Sequence, residues 1–188
     1  ACEMVTEILQ YIQDNPKIGL KEAEALYAGI FLDTKGFTFK TGVRTFEAAA
    51  YLRRMGVDPV NIRRLFKTDI RDSVRLSKVI SSAKIYRDNI AVAVCEDTGK
   101  DLQVLVAKAA DELLNISGIE ASFVIARLGH KIIISGRSLE TVNVQLILER
   151  LGGGGHITIA GAQLSNQDMD IALEQLQKAI DDVLDDRE

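Results

Sequence analysis

The amino-acid sequence predicts an α/β fold, a helical opening third followed by a domain whose helices pack on a central mixed sheet. Two observations carry this. Short apolar runs of strand length (90–95, 121–127 and 131–135) are interleaved with longer stretches whose apolar residues recur at helical spacing. Ahead of residue 84 the pattern is helical throughout, punctuated by Asn15-Pro16, Gly36, Gly56 and Asp58-Pro59.

Residues 1–14 carry apolar side chains at 1, 4, 5, 8, 9, 11 and 12 and read as a helix ended by Asn15-Pro16, because the residue before a proline is pushed out of the α region. A second helix runs from near Lys21 through Leu32. Asp33-Thr34-Lys35-Gly36 is turn chemistry, and Phe37 and Phe39 anchor the stretch beyond it. A third helix opens at Arg44 or Thr45 and stops at Gly56. Asp58-Pro59 starts a fourth, with proline near the first helical position, where its missing N–H costs nothing. Residues 69–83 read as a polar, helical connector between a first domain, 1–68, and a second, 84–188.

In the second domain, residues 90–95 form a buried strand. A helix over 101–115 aligns Leu102, Leu105, Val106, Ala109 and Leu113 on one stripe. Residues 121–127 and 131–135 are strands of a hairpin turning at 128–131, where His130 is a surface residue without a role. A helix over 141–150 leads into the run Gly152-Gly153-Gly154-Gly155-His156. Ser165-Asn166-Gln167-Asp168 has the form of a helix start. The helix beyond it places Met169, Ala172, Leu176, Ala179, Ile180 and Val183 on one face. Strands alternating with helices build a sheet with helices packed on it.

Composition narrows the class. Of 188 residues, 47 % are hydrophobic and 27 % charged, with two prolines, which suits a packed core and excludes a disordered chain. Cys2 and Cys95 make no disulfide framework and fit a reducing, cytoplasmic setting. No apolar run approaches the roughly 18 residues of a membrane span. The chain opens in helical stride without a start methionine or a capping residue, so it reads as a fragment of a longer protein. The net charge of −4 conceals a division. From Lys35 to Arg87 there are 13 lysines and arginines against four acids, a net +9, which leaves −13 for the remainder. A basic middle suits a polyanionic partner, or else a set of solvated helix faces. The acidity of the whole argues against a general nucleic-acid binder.

The glycine run concentrates the chemistry. Four successive glycines are costly in backbone entropy, and a tight turn needs only one or two. The run reads as a backbone that something approaches closely, with N–H groups left free for an anion and His156 as a further donor. The alternative is a flexible linker. No Gly-Lys-Ser/Thr follows, so this is not a P-loop, and the dinucleotide-fold spacing is missing as well. Arg137, at the end of an apolar strand, can fork onto a phosphate or simply reach solvent. Asn143, one turn into a helix between Val142 and Val144, offers an amide to an adenine edge or a phosphate, or serves as an N-cap. Ser135 and Ser138 are supporting contacts.

Gly-Gly-Gly-Gly-His followed by Ala160-Gly161-Ala162 resembles the signature of the DHH-associated domain, the C-terminal half of the DHH phosphoesterases. Ser135-Gly136-Arg137-Ser138 and Val142-Asn143-Val144 stand where that family carries its substrate-contacting arginine and asparagine. The stretch from Tyr27 to Phe37, with Asp33 within it, is similar to the last metal-ligand motif of the DHH domain. Three motifs in order span nearly the whole chain, and the likeness runs to the cyclic-di-AMP phosphodiesterases of the GdpP type. The resemblance implies a helical end of a DHH domain and a whole DHH-associated domain, with the active site in the cleft between them. It implies substrate contacts from Arg137, Ser138, Asn143 and His156, backbone donors from Gly153, Gly154 and Gly155, and Asp33 as a carboxylate ligand of a two-Mn²⁺ centre. The Asp-His-His motif itself is missing, so the chain alone is expected to bind substrate without hydrolysing it. The implied partners are a cyclic dinucleotide or short oligonucleotide and the upstream domains of the parent, membrane-anchored with this part facing the cytosol. No membrane contact is implied for this part, and a homodimer is compatible with the pattern. A short-oligoribonucleotide phosphoesterase and a non-catalytic nucleic-acid-binding module are the alternatives.

Overall fold

The computed structural model describes residues 1–12 and 18–185. The chain divides into two compact units, residues 1–68 and 69–188.

The first unit is helical, with α1 (Cys2–Ile12), α2 (Leu20–Asp33), α3 (Val43–Arg54) and α4 (Pro59–Leu65). The expected end of the first helix at Asn15-Pro16 lies outside the described residues. The third helix begins at Val43, because Thr45 Oγ1 accepts the Gly42 N–H (3.1 Å) and draws the helix start back. Asp58 caps α4 as its spacing implies, accepting from the Val60 N–H at 3.0 Å. Ala23, Tyr27, Ile30, Ala48, Leu52, Val57 and Ile62 form the core. Phe37 lies edge-on to Tyr27 and is stacked with Phe46.

The second unit opens with α5 (Ile70–Ser81), so the stretch read as a connector is part of this unit. Its Val79 is buried with α6 residues, which is why α5 docks here and does not stand apart. There follow β1 (Lys84–Tyr86), β2 (Ile90–Cys95), α6 (Leu102–Leu113), β3 (Ala121–Leu128), β4 (Lys131–Ser138), α7 (Val144–Glu149), β5 (Gly154–His156), β6 (Ile159–Ser165) and α8 (Met169–Asp185). Among the described residues six strands form one sheet in the order β1-β2-β3-β4-β6-β5. Only β2 and β3 run parallel, joined by the α6 crossover, and the other pairs are antiparallel, so the sheet is mixed. The sequence pattern did not point to β1 or β6. The first is three residues long, and β6 carries alanine and glycine where strand-forming side chains are usual.

Alternation along the strands gives the sheet two unlike faces. On one, Phe123, Ile125, Ile132, Ile134, Ala160, Ala162 and Leu164 are buried against α7 and α8. On the other, Ala91, Ala93, Val124, Ala126 and Ile133 are buried beneath α6 and Val79 of α5. The residues of β6 on this second face, Ile159, Gly161 and Gln163, are exposed.

Candidate functional site

The site grows from the uncovered part of that second face. Strand register puts Arg137, Ile159 and His156 in one row across β4, β6 and β5, and Ser135, Gly161 and Gly154 in the next. Residues in direct register share a face, and two strand spacings place the Arg137 and His156 backbones about 10 Å apart.

Arg137 does not reach into open solvent. Its side chain is 12 % exposed, and Nη1 donates to Ser135 Oγ and to the Gly136 carbonyl, both at 2.9 Å. Nε lies 3.3 Å from Asp111 Oδ1 on α6 yet is buried without a hydrogen bond. A largely desolvated guanidinium fixed at two corners is a pre-organised cation, which loses little freedom when an anion arrives. Asp111 carries no sequence signal. It lies in the last turn of α6, far along the chain from the motif it serves, and the fold alone brings it to Arg137.

The glycine run is not the bare loop its composition suggests. Gly152, with φ +73°, closes the preceding helix: its N–H donates to the Glu149 carbonyl (2.9 Å) and the Gly153 N–H to the Leu148 carbonyl (2.8 Å). The Gly153 N–H is therefore spent within the fold and is not a donor for a ligand. Residues 154–156 then form edge strand β5 on β6. A Cβ at Gly153 would drive into the Gly161 carbonyl and lie 2.7 Å from Ala162 Cβ, so the main chain passes too close to β6 for any side chain. Around Gly154 the space is open, with nothing within 4 Å of such a Cβ.

The end of β5 is pinned from beneath. The Ile157 carbonyl accepts from the Val144 N–H at 3.0 Å and from Ser138 Oγ at 3.4 Å, while the Thr158 carbonyl accepts the Ser138 N–H at 3.0 Å. Ser138 is buried, so it fixes the turn that carries His156 and does not face a ligand. His156 itself is exposed on a backbone held at both ends. Asn143 is the N-cap of α7, not a residue one turn in, because its Oδ1 accepts the Leu146 N–H at 3.1 Å. The two Nδ2 donors are not used by that cap. His130 is exposed in the β3–β4 turn.

Beside these rows lies a groove of about 540 Å³ lined by Gln103 and Val106 of α6, Ile133 and Ser135 of β4, Gly153, and Gly161 and Gln163 of β6. Its residues come from three elements and the glycine run, which converge only in the folded sheet.

Asp33 is the last residue of α2, its carboxylate 67 % exposed. Thr34, not Asp33, holds the following turn: its hydroxyl donates to the Ile30 carbonyl at 2.7 Å and accepts the Phe37 N–H at 3.0 Å. Among the described residues, no three His, Cys, Asp or Glu side chains gather where they could hold a metal ion. Nor, among those residues, is any helix long and apolar enough to cross a membrane.

The DHHA1 domain family matches residues 87–186. Among curated proteins, the chain is 48 % identical over 181 residues to the cyclic-di-AMP phosphodiesterase GdpP of Geobacillus thermodenitrificans, covering 96 % of this chain and 28 % of that protein. It is 46 % identical to the GdpP of Bacillus subtilis, with the same coverage of each. The chain thus spans little more than a quarter of the length of these relatives. Among solved structures, an exopolyphosphatase-related protein from Bacteroides fragilis has the same fold, with a TM-score of 0.79 at 22 % identity over 96 % of this chain and 56 % of that one. The chain belongs to the DHHA1 domain family.

Proposed function

We propose, with membership of the DHHA1 family as the premise, that the second unit is the substrate-gripping part of a cyclic-di-AMP phosphodiesterase. One observation carries the reading: Arg137, held by Ser135 and Asp111, shares a row and a face with His156, with the exposed Ile159 of β6 between them. A phosphodiester carries one negative charge on two equivalent oxygens. The guanidinium presents Nη2, the nitrogen not engaged by Ser135, Gly136 or Asp111, and the imidazole adds a donor from the other side. In the next row Gly161 and Gly154 carry no side chain, so a nucleotide backbone can settle against the sheet beside Ile159. The relatives named above supply the substrate class.

The hydrolytic step belongs to groups outside this chain. A DHH-type Mn²⁺ centre needs several carboxylates and imidazoles around each ion, and the described residues bring no three together. On their own they do not fit it. Asp33, exposed at the end of α2 with its turn held by Thr34, is proposed as one ligand of a centre completed elsewhere in a longer protein.

Calorimetric titration of the 188-residue chain tests the reading. Cyclic di-AMP and linear di-adenylate should both bind, and Arg137→Ala should weaken binding about 10- to 100-fold, the worth of one charge-assisted contact. Short oligoribonucleotides offer the same phosphates. Tighter binding to them than to either dinucleotide would move the assignment to a short-RNA phosphoesterase, and no binding to any of the three would remove it.

A further inference from the structure

We infer that the groove between Gln103 of α6 and Gln163 of β6 is an adenine subsite, and that these two amides select the base; the inference rests on the phosphate grip proposed above. The groove continues the same sheet face. Arg137 and Ile133 are four residues apart on β4, about 13 Å along the strand, and Gln163 is the register partner of Ile133. A phosphate at the Arg137–His156 row therefore puts one nucleoside over Ser135 and Gly161 and its base between the two glutamines.

The walls suit a flat heterocycle better than a second phosphate. Val106 and Ile133 supply apolar sides, while Gly153 and Gly161 form a floor with no side chains to tilt a ring lying against it. Lys131 stands beside Gln163, and its Nζ donates to Gln163 Oε1 at 3.4 Å. That contact also orients the amide. With Oε1 turned to the lysine, the Gln163 Nε2 hydrogens are the donors left for the groove, and they match the acceptor nitrogens of adenine. Gln103, on the facing wall, can offer its carbonyl to the adenine amino group. An amide reads adenine by giving one hydrogen bond and taking one, and guanine presents an acceptor oxygen where adenine has its donor.

Asn143, the residue the sequence favours for base contact, is engaged as a helix cap through its Oδ1 and follows β4 at its far end. The two glutamines belong to no motif and lie on either side of the groove only because α6 crosses over β4.

The test is a titration of the 188-residue chain with cyclic di-AMP and cyclic di-GMP, for wild type, Gln163→Leu, Gln103→Leu and Arg137→Ala. Both glutamines are exposed, so the variants should keep the wild-type circular dichroism and melting temperature. Wild type should prefer the adenine ligand. Each leucine variant should weaken cyclic di-AMP binding roughly tenfold while leaving the guanine ligand nearly unchanged, so that the preference collapses. Arg137→Ala should weaken both ligands alike. Glutamine variants that keep wild-type affinity and preference, alongside a weakened Arg137→Ala, would overturn the adenine subsite and leave the phosphate grip standing. A wild type that binds neither ligand would remove the grip, and the subsite with it.

Discussion

On one face of the sheet, Phe123, Ile125, Ile132 and Ile134 lie sealed beneath α7 and α8; on the other, α5 and α6 cover the β2–β4 side while Ile159, Gly161 and Gln163 stay exposed. The strands are the same on both faces, so the difference lies in where each crossover places its helix. The sealed face obeys volume. At Gly136 a Cβ would lie 2.9 Å from the Phe123 ring, so the strand carries glycine to make room for the core. The half-open face obeys approach, with Gly154 and Gly161 leaving room for something that is not protein. Glycine thus serves packing on one side and access on the other, and a single strand, β4, carries both Ile134 for the core and Arg137 for the site.

The contrast breaks most visibly at the sealed face. Phe123→Ala removes a fully buried ring and should cost about 3–5 kcal/mol of stability, read by chemical denaturation, with ligand affinity unchanged in the fraction that remains folded. A loss below 1 kcal/mol would show that this face is not close-packed.

Gly153→Val should cost roughly 3 kcal/mol, toward the upper end for an overpacked site, because its Cβ would collide with the Gly161 carbonyl. Gly154→Val, one residue on, should shift stability by no more than about 0.5 kcal/mol and weaken dinucleotide binding about tenfold by filling the space the ligand needs. Thermal melts and titrations of the pair decide it. If both variants unfold alike, the run serves packing throughout and the open face loses its floor.

His156→Ala should reduce dinucleotide affinity about tenfold or more with an unchanged melting temperature, since the side chain is exposed and its strand is pinned through Ile157 and Thr158. Binding by wild type should fall as salt rises, and less steeply in this variant if the imidazole contributes charge. An affinity equal to wild type would take His156 out of the grip.

The smallest effect concerns the helices that cover half of the open face. Arg75 of α5 grips Asp97 through two hydrogen bonds of 2.8 Å, and this, with the Gly99 N–H, lowers the Asp97 carboxyl to about 2. The folded value lies below the unfolded one, so the pair stabilises the fold above about pH 4, and the contribution fades as pH falls from there through about 2. Asp97→Asn should therefore lose about 1 kcal/mol at pH 7, a figure reduced for partial exposure, and match wild type near pH 2. A difference that persists unchanged at pH 2 would assign the effect to shape and not to charge.

Much of this was legible in the chain because it is local. Asp58-Pro59 announced a helix start, the run 90–95 a buried strand, and the stripe from Leu102 to Leu113 a helix with one apolar face. Each is a matter of period or capping, settled within a few residues. The edge strand β5 was not legible, because glycines carry no strand propensity and Gly154 to His156 is extended only by pairing with β6. Asn143 was ambiguous for a related reason. A cap and a ligand contact ask for the same amide, and only the start of α7 at Val144 shows which bond its oxygen makes.

By itself, the sequence determined the α/β class, the family signature and the residue types able to hold a phosphate, because composition, period and motif are properties of neighbours along the chain. The tertiary structure decided which of those residues meet. It set Arg137 against Asp111, put His156 in its row, spent the Gly153 N–H on a helix end, turned Ser138 inward, and brought Gln103 across from Gln163. Strand register and helix crossing do this work, and both are fixed by burying apolar surface between elements distant in the chain, which no local pattern encodes.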